Sequence, residues 1–147
     1  MNWKDGMNAG ALEVNTSMEQ PAGGRSPSDR SGLSRRAFMR AHLFMEARLG
    51  EPLTLGDIAA AACLSRSHFA RAFRATTGCS VMAYLYRMRV ERAKTLLAEG
   101  GMNISDLSAE LGFAHHSHFT RVFRRFVGVN PRAFAHRYVE APAEFIK

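Results

Sequence analysis

Residues 54–85 read TLGDIAAAACLSRSHFARAFRATTGCSVMAYL, and residues 103–134 read NISDLSAELGFAHHSHFTRVFRRFVGVNPRAF. The two stretches are copies of one unit. Asp57 pairs with Asp106 at an offset of 49, while Ser67-His68-Phe69 pairs with Ser117-His118-Phe119 at an offset of 50. Arg71, Phe73, Arg74 and Gly78 find counterparts in Arg121, Phe123, Arg124 and Gly128. One residue is therefore inserted in the second copy, near His115 or His116. Two copies are too few for a solenoid. A duplicated helix-turn-helix is the expected architecture.

Each copy carries its own punctuation. Thr54 and Asn103 suit the N-cap position, and Asp57 and Asp106 stand three residues later, where a carboxylate completes a cap and faces the positive helix end. A helix of about two turns should end near Cys63 or Gly112. Gly112 tolerates positive φ, whereas Cys63 is strained if its turn is the same. Ser65 can cap the next helix, and no serine stands at the matching point of the second copy. The second helices are expected over about Arg66–Thr77 and Ser117–Val127. Phe69 and Phe73, like Phe119 and Phe123, lie four apart and form the buried face; Arg71, Arg74, Arg121 and Arg124 fall off it. A capped short helix, a tight turn and an amphipathic helix with phenylalanine inside and arginine outside make a groove-reading unit.

Outward from the repeat the chain reads as helix throughout. Residues 80–98 predict one long linker helix, roughly 27–30 Å in length, against about 34 Å between major-groove openings on one face of DNA. Phe38, Ala41, His42, Met45 and Leu49 recur at helical spacing before Gly50 and Pro52 stop the run. No β-branched alternation is long enough for a sheet. The class is all-α, two helix-turn-helix subdomains joined by a linker helix, about seven helices in all. Residues 1–32 are rich in Gly, Ser, Asn and Pro and read as a disordered tail. The domain is expected over 33–139, with helix-turn-helix units at about 54–78 and 103–128, and a C-terminal tail over 140–147.

Charge is distributed unevenly. The chain of 147 residues has a formal net charge of +7, yet residues 1–30 hold three basic and four acidic residues, so the excess lies in the repeat region. No acid stands between Asp57 and Glu91, a run that holds Arg66, Arg71, Arg74, Arg87 and Arg89. None stands between Glu110 and Glu140, a run with Arg121, Arg124, Arg125, Arg132 and Arg137. Such blocks suit a polyanion partner, or else a solvated face. No apolar run is long enough to span a membrane, and no basic stretch followed by an apolar run suggests a secretory signal. Two cysteines are too few for a disulfide scaffold or a four-cysteine zinc site, and a reducing cytosol is expected. Cys63 reads as a small core residue, with Cys79 a second candidate, and the methionines at 39, 45, 82 and 88 as core.

From about Arg36 to Arg137 the chain resembles the AraC/XylS family of transcriptional regulators. The carrying motifs are PLTLGDIAAAACLSRSHFARAF, RVERAKTLL, ISDLSAELGF and SHFTRVFRRFVGVNPRAF, in that order. The resemblance implies two helix-turn-helix subdomains entering successive major grooves of double-stranded DNA. It also implies activation or repression of transcription, with RNA polymerase as a contact. It places base reading on Arg66, Ser67, Ala70 and Arg71 in the first recognition helix, and on His116, Ser117, His118 and Arg121 in the second. Arg71 and Arg121 suit guanine, and Ala70 can meet only a thymine methyl. Arg74, Arg124 and Arg125 are placed for phosphates, which position without specifying sequence. The sequence departs from the family pattern at His115 and His116, which bears on the capping of the second recognition helix.

Other chemistry finds little support. His115, His116 and His118 lack a cysteine or carboxylate at ligand spacing, so no metal and no cofactor is expected. GxSxG, HExxH, P-loop and GxGxxG motifs are absent, and an enzyme is not expected. The rival reading is a non-specific nucleic-acid-binding or partner-sequestering module, a fragment lacking an effector domain. About 33 residues before the domain leave no room for a β-barrel effector domain. A stand-alone regulator or a truncated product is therefore expected, monomeric on DNA and associated with a bacterial nucleoid in the cytoplasm.

Overall fold

The computed structural model describes residues 32–140. The expected tails therefore lie outside the described residues, apart from Gly32 and Glu140. Among the described residues there are seven helices and no strand: α1 (Arg35–Ala47), α2 (Leu55–Ala61), α3 (Arg66–Thr77), α4 (Val81–Glu99), α5 (Ile104–Glu110), α6 (His116–Val127) and α7 (Pro131–Glu140). They form two compact units. The first holds the described residues through Ala47 together with Leu53–Tyr84; the second holds Arg48–Pro52 and the residues from Leu85 onward. The first turn of α4 belongs to the first unit and the rest of it to the second.

In the first unit the phenylalanine pair at i, i+4 does what the spacing predicts. Phe69 and Phe73 are fully buried, with ring centroids 5.4 Å apart. Phe73 meets Tyr84 edge-on at 5.2 Å, and Phe38 of α1 stacks on Phe73 at 6.0 Å. Ala41, Met45, Ile58 and Ala59 close the core. Its polar groups are paired: the Tyr84 hydroxyl lies 2.9 Å from His42 Nδ1, and the Leu33 amide donates to Thr76 Oγ1 at 2.7 Å. Burying a large apolar side chain contributes about 1.5–3 kcal/mol, so the aromatic cluster is the main support of α3.

The second unit repeats this plan. Phe119 and Phe123 are buried with Leu107, Leu111, Phe113, Val122 and Phe134, against Val90, Ala93 and Leu97 of α4. Phe119 and Phe123 stand 5.7 Å apart, and Phe123 meets Phe134 at 5.5 Å. Over residues 65–81 and 115–131 the exposed, half-buried and buried positions follow one another in the same order.

Three expectations are corrected. Arg89, read as part of a basic face, is only 4% exposed. Its Nε donates to the backbone carbonyl of Leu49 at 2.9 Å, Nη2 to that of Glu51 at 2.7 Å and Nη1 to that of Gly112 at 3.3 Å. The planar guanidinium satisfies several scattered acceptors at once, which a lysine cannot do in the same geometry. Burial lowers its pKa from the ordinary value, an effect that the neighbouring Tyr86 side chain opposes. Cys63 is exposed and Cys79 half-buried, so Cys63 is no core residue. Cys63 is carried outward by a left-handed turn, with φ 60. Met39 is exposed and Met82 half-buried, while Met45 and Met88 are core. Met39 falls on the outer face of α1, with Leu43 one turn on, also exposed.

Candidate nucleic-acid interface

The geometry begins with the caps. Thr54 and Asp57 form a reciprocal capping box: the Asp57 amide donates to Thr54 Oγ1 at 3.2 Å and the Thr54 amide to Asp57 Oδ2 at 2.8 Å. In the second unit the Asp106 amide donates to Asn103 Oδ1 at 2.9 Å, and Asn103 Nδ2 donates to Asp106 Oδ2 at 2.6 Å. These bonds satisfy amides that the first turn leaves without helical partners.

The turns that follow share one hydrogen-bond plan. Cys63 donates its amide to Ala60 at 2.9 Å and Leu64 to Ala59 at 3.0 Å; Gly112 donates to Ala109 and Phe113 to Ser108, both at 3.0 Å. Both are left-handed helix ends of the Schellman kind. Glycine takes this backbone freely, with φ 78 at Gly112. Cys63 is the one non-glycine residue with positive φ among the described residues, a strained choice that removes a side chain from the core.

The turns diverge at the next step. Ser65 directly follows Leu64 and caps α3, its Oγ accepting from the His68 amide at 3.3 Å. In the second unit Ala114 intervenes, which locates the inserted residue one position before His115. His115 then occupies the N-cap position of α6 and makes no side-chain cap bond. The His118 amide turns instead to the His115 backbone carbonyl at 3.1 Å.

Both second helices end at glycines in left-handed conformation, Gly78 and Gly128. With phenylalanines holding the inner face, the outer faces of α3 and α6 carry the residues singled out from sequence. Arg66, Ser67, Arg71 and Arg74 are exposed on α3, and Ala70 is half-buried. His116, Ser117, Arg121, Arg124 and Arg125 are exposed on α6, and His118 is half-buried. Ser67, Arg71 and Arg74 follow i, i+4, i+7 and share one stripe; Ser117, Arg121 and Arg124 repeat it. Ion pairs among the described residues include Arg48–Glu51 and Lys94–Glu91, and His42 Nε2 lies 4.0 Å from a Glu46 carboxylate oxygen; none of these engages the arginines of α3 and α6. The guanidinium groups are therefore available to an external anion. Arg74, Arg124 and Arg125 also lie in the last turn of their helices, where a cation is favoured by the helix dipole.

His118 has a second environment. Its ring meets Tyr86 edge-on at 5.3 Å and Phe113 at 5.5 Å. The sequence pairs His118 with His68 but gives no sign of this aromatic setting, because Tyr86 lies 32 residues away on α4. Among the described residues no group of three or more His, Cys, Asp or Glu side chains is placed to hold a metal ion, and no helix is long and apolar enough to cross a membrane.

The chain matches a family model described as a helix-turn-helix domain over residues 58–137. It is 34% identical over 104 residues to the HTH-type transcriptional regulator ArgR of Pseudomonas aeruginosa, which covers 71% of this chain and 32% of that protein. It is 32% identical over 95 residues to the regulatory protein PocR of Salmonella typhimurium, covering 65% and 31%. The chain thus spans about a third of the length of these curated relatives. Among solved structures it is similar to a transcriptional regulator of Chromobacterium violaceum, described by its AraC-type DNA-binding domain. That likeness has a TM-score of 0.66 and 27% identity, covering 72% of this chain and 95% of that one. The DNA-binding domain of AdpA, solved in complex with a target DNA, gives a TM-score of 0.65 and 28% identity over 71% of this chain and 94% of that one.

Proposed function

The chain belongs to the AraC-type helix-turn-helix family, and from that membership we propose that it is a sequence-specific regulator of transcription that reads double-stranded DNA through α3 and α6. The observation that carries this reading is the pair of matching stripes, Ser67-Arg71-Arg74 and Ser117-Arg121-Arg124. They are exposed on helices whose inner faces are buried alike. Neither helix contains an acid.

Each recognition helix enters a major groove by its N-terminal half, two successive grooves of one site being engaged. Arg66, Ser67, Ala70 and Arg71 face one set of base edges; His116, Ser117, His118 and Arg121 face the other. Arg71 and Arg121 are the guanine readers, since a guanidinium bonds O6 and N7 together. Arg74, Arg124 and Arg125 take phosphates and set the register. One monomer covers the site, on the nucleoid in the bacterial cytoplasm, and RNA polymerase is the partner in regulation. The AdpA domain complexed with DNA supports the choice of ligand, as does the +7 charge.

Selection of preferred sites from random duplex DNA at physiological salt tests the reading. Two short enriched blocks about one helical turn apart are expected. Salt-dependent binding without enrichment would instead identify a non-specific nucleic-acid binder.

A further inference from the structure

The two recognition helices are fixed at their N-terminal ends by different means. Ser65 bonds the first turn of α3 directly. Nothing comparable acts at α6, where His115 makes no cap bond and Ala114 lengthens the turn. What the second unit has instead is a ring assembly. Phe113, the residue after Gly112, stacks on Tyr86 at 5.7 Å and meets Phe119 at 5.2 Å. His118, in the first turn of α6, stands edge-on to both Tyr86 and Phe113. Behind these rings lies Arg89, its guanidinium carbon 5.6 Å from the Phe113 centroid and 6.0 Å from that of Tyr86. At the place matching Phe113 the first unit has Leu64, half-buried, and among the described residues no ring contacts His68.

We propose that Arg89 is a positioning residue for base reading by the second unit. Bonded to the carbonyls of Leu49, Glu51 and Gly112, it fixes the Tyr86–Phe113 ring pair, and this pair fixes His118 and the first turn of α6. The assembly does for α6 what the Ser65 hydroxyl does for α3. A planar, multiply bonded cation leaves little rotational freedom, and edge-on ring contacts restrict the imidazole further. The inference rests on the reading that α3 and α6 each specify bases. It adds that the second block of the site depends on a residue on α4, outside the recognition helix.

The test compares the full chain with Arg89→Lys and with Arg89→Lys/His115→Ser. Two readouts are used: site selection, and amide hydrogen exchange in the free protein. In Arg89→Lys, preference in the block read by α6 should fall about tenfold while the block read by α3 is kept. The amides of His118 and Phe119 should exchange faster while those of His68 and Phe69 do not. Supplying the missing hydroxyl with His115→Ser should restore the second block. Loss of both blocks together, loss of neither, or equal exchange changes in the two units would overturn the proposal and leave Arg89 a general stabiliser. Should the unaltered chain enrich no site at all, the sequence-specific reading falls. Exchange at His118 and Phe119 then decides only whether Arg89 orders the first turn of α6. Where Arg89→Lys does not fold, Phe113→Leu, which removes the ring between guanidinium and imidazole, carries the same comparison.

Discussion

The two helix-turn-helix units bury their recognition helices alike and hold the approaches to them differently. Residues 65–81 and 115–131 share one order of exposure, and both rest on a phenylalanine pair. Yet α3 is preceded by a strained cysteine and a capping serine, whereas α6 is preceded by a relaxed glycine, an added residue and an uncapped histidine. The likeness lies where helix must meet core, and the difference where helix meets loop. Duplicated units are constrained by packing density in the first place and can exchange one local bond for a tertiary one in the second.

The likeness is tested hardest in the cores. Phe69→Ala and Phe119→Ala should each cost about 3–5 kcal/mol in denaturant melts. Costs that differ widely would show that the common burial pattern conceals unequal cores. The turns should differ in sign. A methyl on Gly112 would stand 2.8 Å from Arg89 Nη2 and 3.1 Å from the Gly50 carbonyl carbon, at φ +78. Gly112→Ala should therefore cost about 3 kcal/mol. Cys63→Gly should instead stabilise by about 1 kcal/mol, and a loss there would mean that the thiol makes up for its backbone.

Smaller effects concern the ligand and the caps. Arg71→Ala and Arg121→Ala should each cost about 1–3 kcal/mol of affinity and relax preference at one base pair, in different blocks, when binding to the selected duplex is titrated. Arg124→Ala should weaken all duplexes alike and reduce the slope of log affinity against log salt by about one. Uniform losses in every variant would remove the distinction between base readers and phosphate contacts. Last, Ser65→Ala should lower the melting free energy by about 1 kcal/mol, while His115→Ser should raise it by up to about the same amount. Equal responses to Ser65→Ala and His115→Ala would mean that the caps are not the point of difference.

Much of the fold was legible because its signals are local. Thr54 with Asp57, Asn103 with Asp106, Gly78 and Gly128 mark helix ends through bonds or backbone angles that span four residues or fewer. The i, i+4 phenylalanines announce their own burial. Arg89 was not legible, because its acceptors are carbonyls 23 to 40 residues away, and a carbonyl has no identity in a sequence. In an acid-free run it looks like its exposed neighbours. Cys63 misled for the opposite reason: residue type suggested burial, while the left-handed backbone carries it outward. The ring setting of His118 depends on Tyr86, which the repeat does not include. Among the proposed contacts, stripe membership followed from helical spacing. The half-burial of Ala70 and His118 needed the tertiary structure.

The segment Arg48–Pro52 lies in sequence between α1 and α2 but packs with the second unit, where Arg89 holds its carbonyls. No single cut in the polypeptide can therefore yield both halves intact. A fragment ending at Tyr84 would carry five residues whose binding site had been removed, and a fragment starting at Leu85 would keep a buried cation stripped of two acceptors. In chain order, too, the segment precedes α2 and α3, so the second half completes itself with a piece made before most of its own residues.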